Sequence, residues 1–188
     1  PGHQDNIGYT YKPKKAKELL NLYKMKSGNQ TPEITLSTTA NYLSFCEFIQ
    51  RELQIIGLKI IIEVLPPSSL KSAKSNGKLD LFRASWVADY PDAQNYLSLF
   101  YSKNFAPNGP NYTHFKNIQF DSLYQKTLSE VDDGRRINLY KKMDALVLEK
   151  APVVVLFYDE VVRFALKNVK GLGINPTNLL EVKNIRKD

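Results

Sequence analysis

The sequence is poor in the residues that usually carry chemistry. Its 188 residues include one cysteine, Cys46, two histidines, His3 and His114, and one tryptophan, Trp86. A single cysteine allows no internal disulfide and does not settle the redox compartment. Cys46 falls on the apolar stripe of an expected helix, which marks a buried inert thiol rather than a nucleophile. The histidines lie far apart, both in expected loops, and neither stands at a metal-binding spacing from Cys, Asp or Glu. No nucleophile elbow, phosphate-cradling glycine loop or histidine-containing zinc motif is present. No run approaches ~20 apolar residues, so no segment is long enough to cross a bilayer as a helix. The start, Pro1-Gly2-His3, has neither a methionine nor an apolar signal-type segment, which predicts a processed chain or an excised piece.

What is present is ordinary globular composition, 43% hydrophobic and 24% charged, enough for one sizeable core. The formal charge is +7. Lysines gather in one expected helix (Lys12, Lys14, Lys15, Lys17, Lys24, Lys26) and in the tail (Lys183, Arg186, Lys187). A basic face can attract nucleic acid or anionic lipid. Tyr11 and Tyr23 stand beside these lysines, but no run of aromatic residues interleaves with them as a nucleic-acid platform requires, so a solvated helix face is expected.

Pro1 to Lys12 reads as a loop, and Pro13 suits the first position of a helix with Ala16, Leu19, Leu20, Tyr23 and Met25 on one apolar face and Gly28 as its stop. Glu33 to Thr39 reads as a strand. A helix from about Asn41 to Ile56 carries Tyr42, Cys46, Ile49, Leu53 and Ile56 at steps of four and three, a core-facing stripe. Leu58 to Leu65 is a second strand. Strand, helix and strand in succession form a βαβ unit with parallel strands. Pro66 and Pro67 open a short helix, Ser68 to about Lys74, closed by Gly77. A third strand begins at Leu79, which makes a second βαβ unit. Ser102 to Lys116, rich in Asn, Pro and Gly, reads as a surface loop. Two helices follow, about Phe120 to Glu130 with Leu123, Tyr124 and Leu128 inward, and about Arg135 to Glu149 with Ile137, Tyr140, Met143 and Val147 inward. Val153 to Asp159 and Val161 to Leu166 read as strands. Periodicity is lost from about Gly171.

The stretch Leu79 to Tyr101 gathers the side chains most suited to a ligand. Alternation of Leu79, Leu81 and Arg83 with Asp80, Phe82 and Ala84 is strand-like. Trp86 and Val87-Ala88-Asp89-Tyr90 follow, Pro91 stops the extended run, and Asp92 is placed to cap a helix over about Ala93 to Phe100. Backbone around Arg83 to Val87, Ser85 included, offers N–H and C=O groups to an extended peptide. Asp89 offers a carboxylate to an ammonium, Arg83 a planar fork to a carboxylate, and Trp86 an apolar wall. The same residues also suit plainer roles as a surface ion pair, a core indole and turn chemistry. Asp89 and Asp92 form a close carboxylate pair, but hydrolytic carboxylates usually come from separate elements facing a cleft.

Four segments carry a resemblance to a known family. They are Pro1-Gly2 with Tyr9 to Leu20; Ile49-Gln50-Arg51-Glu52-Leu53 with Ile56 to Ile60; Trp86 to Asp92; and Arg135 to Tyr140 with Glu149 to Val153 and Phe157-Tyr158. In this order they resemble the C-terminal part of the dipeptide/oligopeptide/nickel-type solute-binding proteins of bacterial ABC importers. The resemblance implies an α/β fold, a mixed sheet of βαβ units with packed helices, forming the second lobe of a two-lobed periplasmic binding protein. Residues 1–169 then make most of that lobe, and 170–188 cross back toward a first lobe that has no counterpart here. It implies peptide binding without catalysis: Asp89 pairs with the ligand's α-amino group, backbone over Ser85 to Val87 pairs with its chain, and Arg83 meets the carboxylate of a short peptide. Ser85 and Val87 depart from the glycine and cysteine of some oligopeptide binders. Implied partners are the peptide, the ABC permease subunits and the N-terminal lobe, with no nucleic acid, no metal and no cofactor. The implied location is periplasmic, or lipid-anchored outside the cytoplasmic membrane. Alternatives are a family member that takes a nickel complex, haem or sugar and, from other classes, a basic nucleic-acid-binding module or a hydrolase.

Overall fold

The structure is a computed structural model that describes residues 8–28, 30–158, 160, 162–173 and 180–188. The expectations for Pro1 to Ile7, His3 among them, lie outside the described residues.

Helix α1 (Pro13–Lys26) starts on its proline as expected, and Gly28 follows it at φ 73°. Its apolar face is not covered: no α1 residue is buried, and Leu19, Tyr23 and Met25 are exposed. An amphipathic stripe states a capacity for burial, and the described elements pack elsewhere. The lysines at positions 12, 14, 15, 17 and 26 are exposed, as a solvated face requires.

Strand β1 (Glu33–Thr38), helix α2 (Leu43–Ile55, entered through a 3-10 turn at Ala40–Tyr42) and strand β2 (Lys59–Val64) form the expected βαβ unit. The strands are parallel and in register from Glu33 opposite Lys59 to Thr38 opposite Val64. Cys46 of α2 is fully buried against Leu36 and Ile60, with Ile34, Ile49, Leu53, Leu58 and Ile62 around them. The opposite face is polar at Ser37, whose hydroxyl donates to Glu63 Oε2 at 2.8 Å. Helix α3 (Pro67–Ser75) leads to β3 (Leu81–Phe82), which lies parallel to β1 with Leu36 opposite Leu81 and Ser37 opposite Phe82. The sheet order is β2-β1-β3.

The strand expected from Leu79 is therefore only two residues long. Asp80 Oδ2 accepts the Thr35 N–H at 3.4 Å, so a side chain stands where ladder bonding would begin, and Arg83 N donates to Ser37 O beyond the strand.

Helix α4 (Gln94–Leu97) continues as a 3-10 turn over Ser98–Phe100 and packs on α5 (Ile118–Ser129) and α6 (Asp133–Lys150). Asn117 and Asp132 cap α5 and α6 by accepting the Phe120 and Arg135 N–H groups at 2.9 and 2.7 Å. Leu97, Tyr101, Phe120, Tyr124, Tyr140, Met143, Leu146 and Val147 form the larger core. Leu128 does not face in. The buried row of α5 is Phe120, Tyr124 and Thr127, and Thr127 is tolerated there because its hydroxyl bonds Tyr124 O at 2.7 Å.

The strands expected over Val153–Asp159 and Val161–Leu166 are absent among the described residues. Asp159 and Val161 themselves lie outside that set. A strand needs a neighbour's backbone to bond with, and among the described residues no backbone hydrogen bond joins this stretch to another segment alongside it. Val154, Phe157, Val162 and Phe164 are instead exposed. Strands β4 (Val169–Lys170) and β5 (Arg186–Lys187) pair antiparallel as a separate ribbon. At Gly171 an added Cβ would lie 1.9 Å from Asn184 O, so only glycine admits that approach.

Candidate functional site

The segment from Arg83 to Asp92 runs from the sheet to the helical core. It leaves β3 at the end of an edge strand and enters α4. Among the described residues, Ala84 to Asp89 make no backbone hydrogen bond. Ser85, Val87 and Asp89 are exposed, and Val87 is 67% exposed. The backbone here is thus free to bond with something else.

Both ends of the segment are fixed. At the sheet end, the Arg83 guanidinium lies 3.3 Å from the centroid of the Tyr42 ring and donates to Ser85 Oγ at 3.3 Å. At the helical end, Trp86 Nε1 donates to Asn95 Oδ1 at 2.7 Å, and Asn95 is itself buried. The indole is half-buried, between the wall and core roles the sequence allowed. Asp92 Oδ1 accepts the Gln94 N–H and the Tyr140 hydroxyl, each at 2.8 Å, and Arg136 lies 3.7 Å from Oδ2. The Gln94 side chain in turn accepts from Tyr90 OH and donates to Tyr124 OH. Burial, and then the bond to Asp92, push the Tyr140 pKa well up; burial does the same for Tyr124.

The expected site residues therefore fall into two groups. Arg83, Ser85, Trp86, Val87 and Asp89 are held along one open segment, and the carboxylates divide their work. Asp92 is a structural hub, as its capping position suggested. Asp89 is exposed and has no hydrogen bond or ion pair among the described residues. Arg136, Tyr140, Gln94 and Asn95 were not read as belonging to this site. Tyr140 was legible only as a core position, and a buried asparagine cannot be told from an exposed one by spacing. The Lys74 ammonium lies 4.2 Å from the Tyr112 ring centroid and 6.0 Å from that of Phe82, the last residue of β3. Among the described residues no group of three or more His, Cys, Asp and Glu side chains is arranged to hold a metal, and no helix is long and apolar enough to cross a membrane.

Residues 1–108 match the family model of the bacterial extracellular solute-binding proteins, family 5, middle section. The chain belongs to this family. It is 23% identical over 189 aligned positions to the dipeptide-binding protein of Escherichia coli (strain K12), an alignment covering 98% of this chain and 35% of that protein. It is 25% identical over 173 positions to the dipeptide-binding protein DppE of Bacillus subtilis (strain 168), covering 90% and 31%. Among solved structures, the periplasmic binding protein DppA from Helicobacter pylori, in complex with the peptide STSA, superposes with a TM-score of 0.82 at 30% identity over 99% of this chain and 36% of that one. The chain thus spans about a third of the length of these relatives. This family member is an α/β protein, and the relatives named above are binding proteins.

Proposed function

We propose that this chain supplies the second lobe of a two-lobed binder that captures extended peptides outside the cytoplasmic membrane and hands them to an ABC-type permease. One observation carries this reading: an open backbone from Ala84 to Asp89 that ends in an unpaired carboxylate, fixed at both ends by buried groups. Main-chain bonding accepts any peptide sequence, and Asp89 reads the α-ammonium that every unmodified peptide has. Trp86 and Val87 supply apolar surface. The family match and the peptide named in the H. pylori complex support the same ligand class. Catalysis has no part in this role. Residues 1–169 carry the lobe, 170–188 lead toward the other lobe, and the location is periplasmic or lipid-anchored.

Asp89→Ala in the protein as the cell makes it tests the reading. Once the lobes enclose the ligand, its ammonium loses water and needs the carboxylate. Truncating one side of such a pair costs about 2–5 kcal/mol, roughly 30- to several-thousand-fold in affinity. N-acetylating the peptide removes the same charge from the other side, so the two losses are strongly non-additive. Calorimetry showing equal peptide affinity for the variant and the parent, or an equal acetylation penalty in both, would reduce Asp89 to turn chemistry.

A further inference from the structure

Among the described residues the Asp89 side chain has no partner, and the backbone from Ala84 to Asp89 makes no hydrogen bond. A carboxylate on so free a stretch samples many positions. Binding is tighter when the recognising group is already in place. Whatever places Asp89 therefore acts through the residues beside it.

Two of those residues are tied down, one on each side. Trp86, three positions before, donates its indole N–H to Asn95 Oδ1 at 2.7 Å. Tyr90, the next residue, donates its hydroxyl to Gln94 Oε1. Both latches end on adjacent residues of α4, so one short turn of helix holds both sides of Asp89. Pro91 stiffens the stretch further, because it fixes its own φ and restricts the residue before it. The Asp92 N–H then donates to Tyr90 O at 2.9 Å.

The receiving turn is itself immobilised. Asn95 is only 4% exposed; its N–H donates to Asp92 O at 3.1 Å and its carbonyl accepts the Ser98 hydroxyl at 2.7 Å. Gln94 donates its N–H to Asp92 Oδ1 and its side-chain amide to Tyr124 OH in the helical core. A buried amide is costly unless it is hydrogen-bonded, so packing alone favours an apolar side chain at position 95. The amide is accounted for by the indole it holds.

We propose that Asn95 and Gln94 are positioning residues for Asp89: by latching Trp86 and Tyr90 to α4 they hold its carboxylate ready for the ligand's ammonium. This rests on the peptide reading above and deepens it, since it names what fixes the ammonium acceptor. The stretch is ordered when the protein folds, and the ligand does not have to order it on arrival.

The test titrates the protein as the cell makes it, as parent, Asn95→Leu and Tyr90→Phe, with one Ala/Ser pentapeptide whose N-terminus is either free or acetylated. The readout is the ratio of the two affinities, which isolates the ammonium contact. Acetylation is expected to weaken binding to the parent roughly 30-fold or more. Each variant is expected to shrink that ratio about two- to ten-fold, the range for a side chain that must be ordered on binding. Tyr90→Phe removes one hydroxyl from a ring that is 43% exposed, so it cuts its latch without entering the core. A variant that is merely damaged loses both affinities together and keeps the parent's ratio. The parent's ratio in Asn95→Leu overturns the role of Asn95, and in Tyr90→Phe that of Gln94. A parent that binds both peptides alike, or neither, fails the peptide reading and the positioning role with it. Melting curves accompany each variant. If Asn95→Leu melts early, Trp86→Phe replaces it, since that change removes the indole N–H and leaves Asn95 in place.

Discussion

The two halves that meet at the segment from Arg83 to Asp92 are built differently. The helical half is sealed. Phe100, Phe115 and Phe120 meet edge to face with centroids 5.8–6.3 Å apart, and Tyr101 stacks on Tyr124 at 4.4 Å. Asn111, fully buried, donates to Tyr101 O and Phe115 O and accepts from Phe115 N. Among the described residues the sheet half buries Leu36, Cys46 and Ile60 as its apolar centre, and Ile61, Val64 and Leu81 remain exposed. The helical half is closed by rings and satisfied polar groups, whereas the sheet half leaves backbone open at its edge.

The sharpest way to break this contrast is to hollow each core in turn. Phe120→Ala removes a ring with no exposed surface and should cost about 3–5 kcal/mol in a urea titration. Leu36→Ala, in the thinner core, should fall at the low end of the leucine range, about 2–3 kcal/mol, because neighbours near solvent can collapse into the space. If the leucine variant proves the more damaged, the sheet is the anchor and the contrast is inverted.

A smaller effect is expected at the joint. Tyr140→Phe removes one of the bonds to Asp92 and should cost about 1–2 kcal/mol. It also has a pH signature. The folded-state pKa of Tyr140 is raised above its ordinary 10.0, so the folded state holds the phenol proton more tightly. That contribution is present below pH 10 and is lost as pH rises through the folded value. The parent should therefore lose stability above pH 10 more steeply than Tyr140→Phe, as read by denaturant midpoints at stepped pH. Tyr124 shifts in the same direction and leaves part of the slope in the variant. Parallel slopes would remove Tyr140 from the joint. The smallest effect is at a helix end: Asn117→Ala loses the cap of α5 and should lower stability by about 1 kcal/mol without altering peptide affinity.

The contrast also explains what the sequence let one read. The β1-α2-β2 unit was legible because Cys46, Ile49 and Leu53 recur at helical spacing between two β-branched runs, and local pattern and packing agree there. Asp92 was legible as a cap because capping is a local geometry. Val153 to Leu166 failed because alternation and β-branching describe a surface fit for pairing, and pairing depends on distant backbone. The face of α1 failed for the same reason. In the site, Asp89, Arg83 and Trp86 were visible as residue types within a few positions of one another. Tyr140 and Asn95 were not, since each reaches the segment from a helix, and no spacing in the chain encodes that approach.

Trp86 has a practical consequence. It is the chain's single tryptophan, it sits where sheet and helices join, and its indole N–H is tied to Asn95. The protein therefore contains its own optical gauge. Emission excited at the red edge of tyrosine absorption comes from one ring alone, without any label. Its colour and its quenching by acrylamide follow how much water reaches the open segment, so the filling of the segment can be watched from a position built into the polypeptide.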